Sequence, residues 1–103
     1  MKIVYKTLNS VLYIGISGEL DECAAKGARE TLDALIDEFT VKKVMLDMSE
    51  LSFMDSTGIG VLLGRFKKLK AKEIPLCIAN PSRVVDKLLN LSGIYQYMPK
   101  VMY

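Results

Sequence analysis

The chain has 103 residues, half of them hydrophobic and a quarter charged, with a formal net charge of +2. This is ordinary globular composition, and the length suffices to bury roughly two-thirds of the unfolded surface around one core, so residues 1–103 read as a single domain. The net charge is too small to mark a nucleic-acid binder by its field, and the longest apolar run near the N-terminus, Val11 to Ile16, is far too short for a membrane span or a signal peptide. There is no histidine, which removes the Ser-His-Asp and Cys-His machineries and most zinc sites. Cys23 and Cys77 are isolated in apolar neighbourhoods and read as buried free thiols of a cytoplasmic protein, although spacing alone leaves a disulfide between them open.

In chain order, residues 2–8 and 11–17 read as two strands joined by the turn pair Asn9-Ser10, a β-hairpin bounded by Gly18. From Glu22 to Phe39 the period changes: Ala25, Ala28, Leu32, Leu35, Ile36 and Phe39 fall on one helical face, with Lys26, Glu30, Asp33 and Asp37 on the other. Asp21 stands where an N-cap is wanted. Lys42-Lys43 leads into a buried strand, Val44 to Asp47. After the segment Asp55 to Thr57, the apolar stripe Ile59, Leu62, Leu63, Phe66, Leu69 predicts a helix to about Lys72, stopped by Ile74-Pro75. Leu76 to Ala79 is a short strand. Asn80-Pro81-Ser82 opens a third helix with Val84, Val85, Leu88, Leu89 and Leu91 inward, closed by Gly93, and the tail around Tyr97 predicts one edge strand. The expected fold class is therefore α/β, a mixed sheet of four to five strands that is antiparallel at the N-terminal hairpin and parallel at the helical crossovers, with about three helices.

Chemistry concentrates between Ser49 and Gly60, where a strand has ended and a helix begins. The first turn of a helix has unpaired N–H groups and a positive dipole end, which favour an oxyanion or a phosphate. Gly58, Gly60 and Gly64 suggest a dinucleotide fingerprint, but the spacing is one residue too long and no Gly-Lys-Ser/Thr follows. The plainer reading is that Gly58 and Gly60 permit a tight helix entry and that Gly64 packs closely on the sheet. The basic run Arg65, Lys67, Lys68, Lys70, Lys72 lies mostly opposite the apolar stripe and reads as a solvated face, at most a rim for an acidic protein. Asp21, Asp47 and Asp55 fall near strand ends on one sheet edge, yet capping and turn roles account for each, so metal binding is not expected. Ser56 and Thr57 remain, either as helix-capping hydroxyls or as something more.

The run Asp47-Met48-Ser49-Glu50-Leu51-Ser52-Phe53-Met54-Asp55-Ser56-Thr57-Gly58-Ile59-Gly60-Val61-Leu62-Leu63-Gly64-Arg65-Phe66-Lys67 closely resembles the signature of the STAS-domain anti-sigma factor antagonists, the sporulation and general-stress regulators of Gram-positive bacteria. Gly18-Glu19-Leu20-Asp21 resembles a second motif of that family, and Asn80-Pro81-Ser82, with the helix ending in Leu91-Ser92-Gly93, a third. The resemblance covers nearly the whole chain. The family usually carries one more helix after the last strand, whereas this sequence ends at Tyr103, and a turn that is glycine-rich in many members is here Ala71 to Pro75. Neither departure touches the Asp-Ser-Thr-Gly block.

The resemblance implies a non-enzymatic STAS domain. Unphosphorylated, it would bind an anti-sigma factor that is also a serine kinase, and so release a sigma factor. Phosphorylation of Ser56 would reverse that binding, and a protein phosphatase would reset it. Asp21, Asp55, Ser56, Thr57 and Gly58 would form the partner-binding surface. No cofactor of its own is implied; ATP and Mg²⁺ would belong to the kinase, and neither nucleic acid nor membrane is an expected partner. The same fold could instead serve as a structural or regulatory subunit of a transporter-associated or stress assembly. A small enzyme would need an Asp or Lys base beside Ser56, and none stands at motif spacing.

Overall fold

A computed structural model describes residues Met1–Tyr103. β1 (Lys2–Leu8) and β2 (Val11–Leu20) form the expected antiparallel hairpin. Asn9 and Ser10 both take positive φ, +52° and +64°, the backbone of the two-residue turn whose twist matches paired strands. β2 runs three residues further than its alternation predicted, because Gly18, at φ +95°, lets the strand bulge and continue. α1 (Glu22–Glu38) follows, then β3 (Lys43–Asp47), β4 (Leu51–Met54), α2 (Ser56–Ala71), β5 (Leu76–Ala79), α3 (Arg83–Ser92), a 3-10 turn at Ile94–Gln96 and β6 (Lys100–Val101).

The sheet has six strands in the order β1-β2-β3-β5-β6, with β4 also pairing β2; every pairing but the hairpin is parallel. The count exceeds the four to five expected because β4 is too short to show a period: it is four residues long and follows β3 after a turn of only three. Asp47 faces Gly15 and Leu51 faces Gly18, so β3 and β4 follow the same side of β2 one after the other. The tail strand is β6, not a segment around Tyr97, which lies exposed after the 3-10 turn.

Leu12, Ile14 and Ile16 of β2, Leu46 of β3 and Ile78 of β5 meet Leu32 of α1, Leu62 and Leu69 of α2 and Leu89 of α3 in one buried cluster. All three helices therefore cover the same face of the sheet. Each such fully buried side chain contributes roughly 1.5–3 kcal/mol. The opposite face carries only a small cluster of Met45, Cys77 and Ala79. In α3 Val85 and Leu89, one turn apart, are buried and Leu88 packs partly buried against the same cluster, as expected; Val84 and Leu91 are 61% and 78% exposed, contrary to expectation. They sit off the i, i+4 row that faces the sheet. Both cysteines are free, and Cys23, in the first turn of α1, is exposed rather than buried. No helix is long and apolar enough to cross a membrane.

Candidate functional site

Two parallel strands end side by side, and a helix starts from each. Leu20, the last residue of β2, pairs with Met54, the last of β4. The next residue in each chain segment is an aspartate with extended backbone, Asp21 at φ −111°, ψ −171° and Asp55 at φ −112°, ψ −172°. Asp21 Oδ1 accepts the Ala24 N–H at 3.0 Å, and Asp55 Oδ1 accepts the N–H groups of Thr57 at 2.9 Å and Gly58 at 3.3 Å. Each carboxylate caps its helix and sits at the positive end of the dipole. The capping expected of Asp21 is thus present, and in α2 the capping role falls to Asp55 rather than to Ser56 or Thr57.

That assignment leaves Ser56 with no capping duty. It is the first residue of α2 and is exposed, while Thr57 is half-buried and Gly58 buried. Gly58 is required by space: a Cβ there would come within 2.4 Å of Met54 Cγ and 2.9 Å of the Leu20 carbonyl oxygen. Its role is close approach of α2 to the paired strand ends, not conformational freedom at the helix entry. Gly60 and Gly64 differ again, since a Cβ at either would meet nothing within 4 Å. Gly64 does not pack against the sheet as expected. Ser56, Gly60 and Gly64 instead fall four residues apart, on one row of α2 that has almost no side chain beyond the Ser56 hydroxyl.

β4 is held at the site by contacts that the sequence reading missed. Ser52 Oγ donates to the Gly18 carbonyl at 3.0 Å, and Ser82 Oγ donates to the Leu51 carbonyl at 2.7 Å. The second bond ties the start of α3 to β4 and leaves α3 without a side-chain cap. The available signal was the apolar set Leu51, Phe53, Met54 directly after a turn, too short to show a period.

Asp47 does not join the other two aspartates. It ends β3, and its carboxylate accepts the Ser49 N–H at 2.9 Å, the Tyr103 hydroxyl at 3.1 Å and Asn80 Nδ2 at 3.5 Å. Partial burial pushes this carboxyl up, and the donors from Ser49, Tyr103 and Asn80 more than reverse it, holding it below its ordinary value. The basic run of α2 is only partly a solvated face. Arg65 Nε lies 2.9 Å from Asp33 Oδ1, Lys68 Nζ 2.9 Å from Asp37 Oδ2 and Lys72 Nζ 3.5 Å from Asp37 Oδ1, so three of its cations strap α2 to α1. The Arg65 side chain is 11% exposed. These straps join the C-terminal halves of the two helices, away from their capped starts.

The sequence matches the STAS-domain family over residues 2–102. The chain belongs to that family. Among its relatives is the anti-sigma F factor antagonist of Paenibacillus polymyxa, 38% identical over 91 residues, covering 86% of this chain and 76% of the relative. Among solved structures, the anti-sigma factor antagonist SpoIIAA in its unphosphorylated form superposes with a TM-score of 0.81 at 30% identity, covering 97% of this chain and 88% of that one. The phosphorylated form of SpoIIAA, described as a Bacillus cell fate determinant, superposes with a TM-score of 0.72 at 29% identity, covering 97% and 91%. In this STAS domain the Asp-Ser-Thr-Gly block is the cap and first turn of α2, and the Gly-Glu-Leu-Asp block is the bulge, strand end and cap beside it.

Proposed function

We propose that this STAS domain is an anti-sigma factor antagonist, a binding protein switched by phosphorylation of Ser56 and not an enzyme. The observation that carries the reading is the division of labour at the α2 start: Asp55 supplies the cap, and the Ser56 hydroxyl stands exposed beside it with no structural duty. A hydroxyl so placed is open to a kinase without unfolding of the helix. The likeness to a protein known in unphosphorylated and phosphorylated forms supports the same assignment.

The docking surface would combine the Asp21 turn, the Asp55–Gly58 segment and the bare Ser56-Gly60-Gly64 row, against which a partner's backbone or helix can approach closely. The partner is an anti-sigma factor with serine kinase activity, which supplies ATP and Mg²⁺; a protein phosphatase restores the free hydroxyl. The protein would work in the cytoplasm, as a single domain. A phosphate on Ser56 adds about −1.5 to −2 charge. The α2 dipole offsets on the order of 0.3–1 kcal/mol of this, but the Thr57 and Gly58 amides are already engaged by the Asp55 carboxylate, so the phosphate meets a like charge and few free donors. Under a covering partner it is also desolvated, and an unpaired charge at an interface costs roughly 2–5 kcal/mol. Binding therefore suffers more than the fold.

Incubated with the anti-sigma factor kinase of its own organism and ATP, the protein should gain a single phosphate that peptide mapping places on Ser56. A phosphate found only on Thr57 or elsewhere overturns the assignment.

A further inference from the structure

β1 is an open edge. It pairs with β2 alone, at one end of the sheet, and is seven residues long. It contains neither proline nor bulge, and of the devices that commonly blunt an edge strand it has only the charges of Lys2 and Lys6. Val4, Tyr5 and Leu8 on it are 54%, 52% and 53% exposed. The two-residue turn Asn9-Ser10 makes Leu8 and Val11 the closing pair of the hairpin, and in such a hairpin the closing pair is hydrogen-bonded. Leu8, Lys6, Val4 and Lys2 therefore direct their N–H and C=O groups to β2. Ile3, Tyr5 and Thr7 direct theirs outward, unpaired.

We infer that β1 is a self-association edge, on which a second copy of this chain adds its own β1 antiparallel about a two-fold axis at Tyr5. Of the possible occupants, a second copy fits because the strand is complementary to itself. With Tyr5 opposite Tyr5 of the second copy, Ile3 falls opposite Thr7, and the outward groups of both strands meet as hydrogen-bonded pairs over the whole of β1. On the open face of the sheet Lys6 then falls opposite Val4 and Lys2 opposite Leu8, so no two lysines are direct cross-strand neighbours. The lysines of the two copies meet only on diagonals, a repulsion that salt screens.

The helix side of the edge leaves room. A groove of about 390 Å³ runs beside the start of β1, lined by Met1, Ile3, Cys23, Ala24, Gly27 and Thr31, and the α1 residues in it are all small. In the proposed register Thr7 of the second copy lies over this groove. β1 and β4 lie on opposite sides of β2, so the edge is separate from the α2 start and is independent of the function proposed above.

Sedimentation equilibrium of the chain across micromolar to millimolar concentration tests this, with Thr7→Pro as the decisive variant. Proline on an edge strand removes only the outward N–H and leaves the hairpin ladder intact. The expected result is a monomer–dimer equilibrium that tightens from low to physiological salt and whose Kd rises about tenfold in Thr7→Pro. If Thr7→Pro does not fold by circular dichroism, cross-linking decides: in a Cys23→Ser background, Tyr5→Cys should oxidise to a disulfide dimer, since hydrogen-bonded pairs hold Cα atoms about 5.5 Å apart, and Glu30→Cys should not. A single-chain mass at every concentration, an unchanged Kd in a folded Thr7→Pro, or equal oxidation of the two cysteine variants would each overturn the proposal.

Discussion

Ser56 and Asp55 are adjacent, yet their substitutions should separate cleanly. Asp55→Ala removes the acceptor for two α2 amides and should cost about 1 kcal/mol, as should Asp21→Ala at the start of α1. Ser56→Ala removes a hydroxyl with no capping bond and should change stability by less than about 0.5 kcal/mol, while abolishing phosphorylation. Thermal melts of the three variants check this; an early-melting Ser56→Ala would mean that the hydroxyl serves the fold. The residue types at the site were legible in the sequence, since a carboxylate, two hydroxyls and a glycine between a strand and a helix point to a helix start. Which of them does the capping was not. Asp, Ser and Thr all cap helices, and only the positions of the backbone amides show that Asp55 takes the role.

The elements that sequence periodicity described best are α1 and α2, whose apolar stripes extend over several turns. Periodicity carries no signal where an element is short or held by a polar anchor. β4 has four residues and is kept in place by the Ser52 and Ser82 hydroxyls bonding strand carbonyls, which no apolar alternation records. α3 carries more apolar residues than its sheet-facing row can bury, so counting them overstated its inward face. On α2, glycine reads alike at three positions but does different things: Gly58 is required by contact, whereas Gly60 faces open space. Gly60→Leu should therefore stabilise the helix by up to about 1 kcal/mol, while weakening partner binding by filling the bare row beside Ser56. Melting temperature and partner affinity measured on the same sample test this. A Gly60→Leu protein that binds as tightly as the parent would exclude that row from the interface.

The whole molecule should be most sensitive to acid through two carboxylates that anchor the C-terminal segment to the fold. Asp86 accepts the Tyr95 hydroxyl at 2.6 Å and Lys100 Nζ at 3.1 Å, and these bonds hold its carboxyl below the ordinary value; Asp47 binds Asn80 and Tyr103. A carboxyl depressed in the folded state takes up its proton more readily unfolded. Its stabilisation is therefore complete above the unfolded value, near 4, and is lost as pH falls through the lower folded value. Tm should be nearly flat from about pH 7 to 5 and fall below about pH 4. In an Asp47→Asn, Asp86→Asn double variant Tm should start lower at neutral pH and fall less; a parallel acid profile in scanning calorimetry would contradict this. The claim on which the functional account rests is that a phosphate at one exposed hydroxyl ends partner binding without unfolding the domain. Titration calorimetry of the protein against its anti-sigma factor, before and after stoichiometric phosphorylation at Ser56, tests it most directly. Affinity should fall by roughly 30-fold or more, the equivalent of at least about 2 kcal/mol, with Tm little changed. Equal affinity of the two forms would contradict the account.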